Sequence, residues 1–554
     1  MAARAAAPAR QLAAHPTRTS TERRVLAHAT LRDMGLLLGA VLLAHFPLLL
    51  NDGLYWDDWL LFPQLQSKDW SSIDALVREA GITPFNAAFL DVFAYLPGGV
   101  LAFRLVVFAL IVAIAWLVYA IAVEAGLTPR AGLLIALLTS VFPGFQDWVL
   151  LATASSVLDY AVFLGATLLV IGAERQAGAA AAVTRAVAIV MFVLSFSFNS
   201  LLTLYFASLL VLVIVMWRSG RIDALRRRWP YLAGLFLVPF VYWVIAQRLF
   251  VPSGLYAGYN AISASPLVIA RGFHGFLIYG VLDQLLQVWT IVRIPAVLVA
   301  IVLLGAAALA LSYRALRERQ MRPLQWMAGF AVGAIALVLA ILPYAAVEKI
   351  PSVHGWDTRQ DLLIALPLSV VAVMAVEAVL SSLKLEWVGA AVVMVVAAAL
   401  ALAGLQDYAT LQARWATDVS VMQQLRQTEG SGRYSVYWVH DEAPGPEDFY
   451  RFYEWSAMLG DAYGGQTRVG LDTRGYDAGF LSESRFFNAR YHLSGFDPNG
   501  CQADLAIDRG DNYKGHTQVA LTYVFYRLFE PDKLQAYLDH LVAVKVTPRD
   551  GCGP

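Results

Sequence analysis

Long apolar runs alternate with short polar segments over residues 1–404, whereas residues 405–554 mix apolar and polar positions at short range. An apolar run of about 20 residues is long enough to cross a bilayer as a helix. About eleven runs are predicted to span a membrane: 31–50, 101–123, 131–146, 150–172, 184–199, 201–217, 231–250, 294–312, 326–346, 361–382 and 387–404. The pattern predicts an α-helical polytopic membrane protein, with 31–404 as its membrane domain and 405–554 as a soluble C-terminal α/β domain.

Clusters of arginine between the runs set the predicted orientation, because cytoplasmic loops are enriched in Lys and Arg. Such clusters occur in residues 18–32, 218–228 and 314–322, and all three are predicted to be cytoplasmic. Residues 1–30, rich in Ala, Arg, Thr and Pro, are predicted to be a disordered cytoplasmic arm. The odd number of spans then places the C-terminal domain on the outer side of the membrane.

Residues 262–291 are apolar but are interrupted by Pro266, Arg271, His274, Asp283 and Gln287. If this segment spanned the membrane, the basic cluster 314–322 would move to the outer side, against the preference for cytoplasmic Lys and Arg. We therefore predict interfacial helices within 252–292.

The loop 52–100 is predicted to carry interfacial helices as well. Residues 70–81 (WSSIDALVREAG) form an amphipathic pattern, with Ser71 or Ser72 as the predicted cap and Gly81 as the predicted end.

The tail is predicted to contain both strands and helices. Residues 434–440 alternate as a strand does, and 519–529 and 543–546 are predicted to be further strands. Residues 446–459 are predicted to form a helix that has Pro446 near its start.

Composition agrees with this division of the chain. Of the 554 residues, 59% are hydrophobic and 15% are charged, with a mean hydropathy of +0.59, which excludes a large soluble enzyme. The net charge of zero conceals an acidic tail, because 405–554 holds 14 basic and 20 acidic residues. The two cysteines, Cys501 and Cys552, both lie in the tail, and either a disulfide or two free thiols is compatible with the sequence.

An acidic pair, Asp57-Asp58, follows directly after the first span and is flanked by Trp56 and Trp59. Charge at this depth costs several kcal/mol unless water, a partner or a substrate compensates it. A transfer to a hydroxyl needs one base, so one carboxylate is a candidate base while the other binds acceptor or metal. Trp56 and Trp59 are candidate substrate contacts, and helix capping by Asp57 is the alternative for the acid.

Basic residues gather in a late loop that is predicted to lie on the same side. Lys349, His354 and Arg359 fall within eleven residues before an apolar run. A guanidinium beside an ammonium group is a good phosphate site. Arg271 and His274 are additional candidates for phosphate binding, and simple snorkelling of Arg359 at a helix end is the alternative.

A short outer loop contains Gln146 and Asp147, which are candidates for positioning substrate. Asp58 and Asp147 are also candidate ligands for a divalent cation (Mg²⁺, Mn²⁺ or Ca²⁺), although no ligand spacing specifies a metal. Anchoring of the loop at the interface is an equal alternative.

These residues resemble those of the GT-C superfamily of integral-membrane glycosyltransferases, which use polyprenyl-phosphate sugars. The resemblance covers 31–404 and rests on Asp57-Asp58 in the first outer loop, interfacial helices in that loop, and Arg359 before a helix that contains Pro367. It implies that Asp57 is the general base and Arg359 a ligand of the donor phosphate. The tail resembles the periplasmic domains appended to some members, including bacterial arabinofuranosyltransferases. Asn199-Ser200 departs from the family, which often has an acidic or Lys-Glu pair there.

The sequence therefore predicts an inverting glycosyltransferase of a bacterial inner membrane. Its expected partners are a polyprenyl-phosphate sugar, a glycan, lipid or protein acceptor, and membrane lipids, with no nucleic acid. A transporter or flippase for lipid-linked saccharides is the main alternative, and a membrane-anchored binding module is another. The enzyme hypothesis predicts that Asp57, Asp147 and Arg359 line one outward cavity, whereas their separation onto unrelated faces would favour one of the alternatives.

Overall fold

The computed structural model describes residues 20–218, 229–316, 321, 323–383, 385–443, 450–464, 467–481, 497, 499–549 and 552. Residues 1–19 of the predicted arm lie outside the described residues. So does much of two basic clusters, namely 219–228 and 317–320 with 322. The first helix begins at Ser20, so residues 20–30 are helical where the sequence analysis expects disorder. Glutamate, arginine, leucine and alanine in this stretch favour a helix and explain the difference.

Nine helices in the described part of the chain are long and apolar enough to cross a membrane: Leu31–Leu50, Val100–Glu124, Ala154–Ala173, Gly178–Ser195, Leu201–Arg218, Trp229–Leu249, Pro266–Val292, Pro323–Ala346 and Trp387–Gln427. The bent pair Trp356–Leu363 and Ala365–Leu380 makes ten if it is one span, and Pro129–Val141 and Pro295–Ala310 are shorter apolar helices. The protein is thus a multi-pass helical membrane protein, as predicted. The predicted spans correspond to eight of the nine helices, the bent pair and the two short helices.

The ninth helix, Pro266–Val292, is the segment for which interfacial helices are predicted. It contains a π-helical stretch at Phe276–Leu282, and its length and composition also suit a span. Just before its start, Ser263 N donates to Ala346 O at 2.7 Å, and near its end Gln287 donates to Asp407 at 3.1 Å. Ala346 is the last residue of the apolar helix Pro323–Ala346. Asp407 directly precedes Tyr408, whose hydroxyl bonds to His45 near the end of the first span. Both ends of the helix thus contact the same side of the bundle, and the interfacial position stays a prediction.

Four loops meet on one side of the helical bundle. They comprise residues 51–99, 142–153, 250–265 and 347–364, and this side is called the loop face below. Ala152 N donates to Asp58, Thr358 donates to Asp147, and Ser253 N donates to Glu79 O, so each loop bonds to another or to an adjoining helix end.

The first loop is largely helical, with helices at Asp58–Ser67, Trp70–Glu79 and Pro84–Tyr95. The second of these helices, Trp70–Glu79, confirms the helix predicted for 70–81. Its cap is Asp69, whose carboxylate accepts from Ser72 N, and not a serine as predicted. A carboxylate caps a helix as well as a hydroxyl does, because it also accepts from the first free N–H groups. Gly81 ends the helix at a φ of 67°, which glycine adopts without strain.

The tail is built on the C-terminal half of one continuous helix, Glu386–Gln427, called the long helix below. At 1.5 Å per residue its 42 residues extend about 63 Å, roughly twice the hydrocarbon thickness. Strands β1 (Val436–Asp441), β2 (Val469–Asp472), β3 (Gln502–Arg509) and β4 (Val542–Pro548) form a sheet in the order β2-β1-β3-β4. The pairs of β1 with β2 and β3 are parallel, and β4 is antiparallel to β3. The tail helices are Phe452–Ala462, Ala478–Leu481, His516–Phe529 and Pro531–Asp539.

The predictions for the tail are confirmed in part. Strands β1 and β4 match the predicted 434–440 and 543–546, and the predicted helix 446–459 appears as Phe452–Ala462, with 446–449 outside the described residues. The predicted strand 519–529 is wrong, because His516–Phe529 is a helix. Its nearly unbroken apolar run fits either period, and packing of Val519 and Tyr523 against the long helix selects the helix.

A buried charge cluster joins the long helix to the sheet. Arg414 forms ion pairs with Asp418 at 2.9 Å and with Asp441 at 2.7 Å, and all three side chains are buried. The guanidinium also lies 4.0 Å from the ring centroid of Tyr450, whose hydroxyl donates to Asp418. Because Asp441 ends β1, this cluster fixes the sheet against the helix that leaves the membrane.

Cys501 and Cys552 are free thiols in the structure. Their side chains are within hydrogen-bonding reach of each other, which raises the pKa of Cys501. The tail therefore brings the two cysteines of the chain side by side, beside the start of β3.

Candidate functional site

The acidic pair sits on a turn that is held in a strained conformation. Trp56 has a φ of 47°, in the left-handed region that bulky residues avoid, and it is fully buried. Such a conformation costs of order 1–3 kcal/mol and persists only when its surroundings impose it. Asn51 supplies part of that support by accepting from Gly53 N, and Tyr55 donates to Leu411 O on the long helix.

Asp58 points into the protein. It is completely buried, and its Oδ1 accepts from Ala152 N at 3.0 Å. Arg104, also buried, donates to Gly53 O at 2.7 Å and faces Asp58. Burial raises the pKa of Asp58 to about 7, and the positive charge of Arg104 opposes this rise. Asp58 therefore links the first loop to the second and titrates near neutral pH.

Asp57 points the other way, toward the tail. It is partly exposed, and its Oδ1 accepts from Tyr453 Oη at 2.7 Å. Burial, followed by the charge of Asp57, raises the pKa of Tyr453, so the phenol keeps its proton and remains a donor. Tyr453 belongs to the helix Phe452–Ala462, so the tail reaches the acidic pair directly.

The second loop connects the first loop to the late loop 347–364. Asp147 is buried and accepts from Thr358 Oγ1 at 3.0 Å, while Gln146 Nε2 donates to Val353 O at 2.8 Å. The rings of Trp56 and Trp356 also meet, with their centroids 6.3 Å apart. The late loop is therefore held against both the acidic pair and Asp147.

Arg359 and Lys349 form a basic pair around one aromatic ring. Arg359 stacks over Trp356 at 4.1 Å and donates to Tyr259 Oη at 2.8 Å. Lys349 lies 4.0 Å from the ring centroid of the same tyrosine and donates to Asn260 Oδ1 at 2.6 Å. Burial and then the charge of Arg359 lower the pKa of Lys349 to about 8. Two partly exposed cations held together in this way favour an anionic ligand.

The other predicted phosphate ligands are His354, Arg271 and His274. His354 is exposed and faces Gln146 at 3.4 Å and Asp407 at 3.9 Å, and its partial burial lowers its pKa. Arg271 and His274 are exposed on Pro266–Val292. Gly272 and Gly275 of the same helix lie close against Ala345 and Ile350, near Lys349 in the late loop. The role of Arg271 and His274 in phosphate binding stays a prediction.

The two predicted aromatic substrate contacts are core residues. Trp56 and Trp59 are buried, and Trp59 packs on Trp415 of the long helix with ring centroids 5.8 Å apart. Both indoles are enclosed between the strained turn and the long helix. Their packing holds the first loop against the tail.

The candidate metal ligands each bond to another part of the protein. Asp58 accepts from Ala152 N and Asp147 accepts from Thr358, and the described residues contain no group of three or more His, Cys, Asp or Glu arranged for a metal. Binding of Mg²⁺, Mn²⁺ or Ca²⁺ by Asp58 and Asp147 stays a prediction.

Three residues were given no role in the site from the sequence: Arg104, Tyr453 and Asp361. Arg104 carries a detectable signal, because a charge in the first turn of an apolar helix marks function or pairing. Tyr453 carries none, because it is 396 positions from Asp57. Asp361 is fully buried beside Asp147, and neither of its oxygens has a hydrogen-bond partner among the described residues.

A cleft opens next to the second loop, with about 340 Å³ of empty space. His45, Gln146, Asp407 and Tyr408 give it a polar lining, and His45 bonds to Tyr408 Oη at 2.8 Å and to Ser140 O at 2.7 Å. Asp57, Asp147 and Arg359, which are predicted to line one cavity, are not among the residues that line this cleft.

No family model matches the chain, and no curated protein matches it at a significant level.

Proposed function

We propose that this protein is a membrane glycosyltransferase that moves a sugar from a polyprenyl-phosphate donor to an acceptor at the loop face, with inversion. The observation that carries the proposal is the contact between the two loops. A partly exposed acid, Asp57, and a cation pair, Arg359 with Lys349, are joined through the rings of Trp56 and Trp356. Such a site can remove a proton at one end and stabilise a leaving phosphate at the other.

In the proposed reaction Asp57 takes the proton of an acceptor hydroxyl while that oxygen attacks the anomeric carbon. The bond between the anomeric carbon and the phosphate oxygen breaks, and polyprenyl phosphate leaves with the electron pair. Arg359 and Lys349 stabilise the charge on the leaving phosphate. Asp58 and Arg104 hold the turn, and Tyr453 orients the Asp57 carboxylate from the acceptor side.

The resemblance to the GT-C superfamily, with a tail like those of arabinofuranosyltransferases, supports the same proposal. On this basis we place the protein in a bacterial inner membrane, with the loop face and the tail in the periplasm. The lipid of the donor lies between helices, and the acceptor is a glycan, lipid or protein of the cell envelope.

The test is to incubate the purified full chain with a panel of labelled polyprenyl-phosphate sugars and a cell-envelope acceptor fraction. We expect one donor to be cleaved, with stoichiometric release of polyprenyl phosphate and transfer of label. The Arg359→Gln variant should lose about 100-fold or more in rate, because it lacks the charge that stabilises the leaving phosphate.

Arg293→Gln is the matched control, since Arg293 is an exposed arginine that stacks on Trp289 and not on an aromatic ring of the late loop. Equal rates for the two variants would contradict the assigned phosphate site. Movement of the intact donor across a vesicle membrane without cleavage would instead identify a transporter.

Lys349 gives the proposed donor site a pH dependence. Its lowered pKa of about 8 means that the ammonium form holds the phosphate below pH 8 and is lost as the pH rises through that value. We expect the KM for the donor to increase between pH 7 and pH 9 in the wild type. In Lys349→Arg, which stays charged, the KM should stay low over that range. In Lys349→Met, which is never charged, the KM should stay high over the same range. A wild-type increase that persists in Lys349→Arg would show that another group titrates.

A further inference from the structure

The helix His516–Phe529 is apolar on two opposite sides, although only one side contacts the rest of the protein. Val519, Ala520 and Tyr523 are buried on the side that faces the long helix. The opposite, apolar side consists of Leu521, Phe525, Leu528 and Phe529, which expose 67, 48, 50 and 71% of their surface. From Leu521 to the end of the helix, every exposed residue is apolar. A contiguous apolar surface of this kind marks an interaction site.

The helix is tied to a short part of the long helix. At its start His516 Nδ1 lies 3.2 Å from Thr410 Oγ1. Further along, Tyr523 Oη donates to Asp52, which also accepts from Gln412. Thr410 and Gln412 are two residues apart, which is a rise of about 3 Å along the long helix. His516–Phe529 therefore packs on the long helix near Thr410 and Gln412, and Val519 and Tyr523 also cluster with Ala413 and Ala416.

That level coincides with the end of the first candidate span. Arg527 donates to Leu50 O and forms an ion pair with Asp52. Leu50 is the last residue of the span Leu31–Leu50, whose Leu43 and Phe46 are exposed as lipid-facing residues are. The apolar side of His516–Phe529 thus continues the apolar surface of the span.

The orientation of the apolar side follows from one ring contact. Tyr526 packs on Tyr537 with centroids 5.5 Å apart, and Tyr537 belongs to Pro531–Asp539, which is held higher on the long helix where Ser420 donates to Leu538 O. At 100° per residue, Leu521 and Leu528 lie about 140° and 160° around the helix from Tyr526. These two leucines therefore point away from the tail, back toward the end of the span.

We propose that the apolar side of His516–Phe529 inserts into the lipid interface on the loop face and anchors the tail to the bilayer. An amphipathic helix in the membrane plane, with apolar side chains at the headgroup boundary, binds lipid in this way. Arg527 and Tyr523 tie it to the first loop at Asp52, so lipid contact on this helix also supports the position of the tail over Asp57. The proposal does not depend on the reaction that the site performs.

The test uses the full chain in nanodiscs, with both native cysteines replaced by serine and a bimane fluorophore on Leu521→Cys. We expect lipids brominated on their acyl chains to quench this bimane at least twofold, because it lies at the acyl boundary. Gln535→Cys is the matched control, since Gln535 O accepts from Gln423, thirteen residues or about 20 Å beyond Thr410 on the long helix. Its bimane should stay unquenched by lipid and be quenched by aqueous iodide.

An unquenched bimane at position 521 overturns the proposal. If its emission is blue-shifted without quenching by lipid, a second protein copy covers the helix instead. Equal quenching at 521 and 535 also overturns it, because the contact would then not be specific to this helix. Leu528→Cys repeats the measurement independently if Leu521→Cys does not fold.

Discussion

Replacing Asp57 by Asn should reduce sugar transfer by about 10²- to 10⁴-fold, the usual contribution of a positioned base. An amide cannot accept the proton of the acceptor hydroxyl at neutral pH. The variant should fold normally, because the amide oxygen can still accept the hydrogen bond from Tyr453. Donor binding should persist, because the basic pair at Arg359 and Lys349 is intact. The measurement is the rate of label transfer under saturating donor, together with the donor Kd of each purified protein.

Asp58→Asn is the comparison that separates the two acids. The amide oxygen of this variant retains the bond from Ala152 N, while Arg104 loses its neighbouring negative charge. We expect lower thermal stability and nearly normal transfer per folded molecule. If Asp58→Asn is the inactive variant and Asp57→Asn is not, the base is Asp58, and full activity of both variants excludes the acidic pair from the chemistry.

Replacing Arg414 by Met should destabilise the tail by about 3–5 kcal/mol. The change leaves Asp418 and Asp441 buried without their counter-charge, and the loss of one partner from a buried ion pair costs of this order. Because Asp441 ends β1, the sheet should separate from the long helix before the membrane helices unfold. Limited proteolysis of the tail over a urea series measures the effect directly.

Arg426→Ala is its control on the same helix. Arg426 pairs with Asp461 at the surface, where both side chains are half-exposed or more, so its removal should cost at most about 1 kcal/mol. Equal protease sensitivity of the two variants would mean that the buried cluster does not hold the tail. We also expect Arg414→Met to lose transfer activity, since Tyr453 would leave Asp57.

Local patterns were sufficient to predict the elements whose partners are solvent or lipid. The apolar runs predicted the candidate spans, the amphipathic pattern at 70–81 predicted a helix, and alternation predicted β1 and β4. The strand prediction for 519–529 is wrong because the apolar residues of this run fit the period of a helix as well as that of a strand. Only the contact with the long helix decides between the two.

The candidate site was predictable only as separate pieces. Asp57, Asp147, Lys349 and Arg359 each carry a visible signal, namely charge beside an apolar run. Their meeting depends on long-range contacts such as Thr358 with Asp147. The burial of Trp59 and the hydrogen bond from Tyr453 to Asp57 also depend on contacts between distant parts of the chain. Nothing in the local sequence specifies either one.

The continuity of the long helix has a mechanical consequence. Glu386–Gln427 runs without a break from the membrane into the tail, so its two halves tilt together as one lever. A spanning helix adjusts its tilt to the thickness of the bilayer. A tilt of about 5° displaces the far end of a 63 Å rod by roughly 5 Å. The first loop is fastened to the same helix, by Tyr55 at Leu411 and by Trp59 at Trp415, so we expect the tail and the acidic pair to move together when the helix tilts.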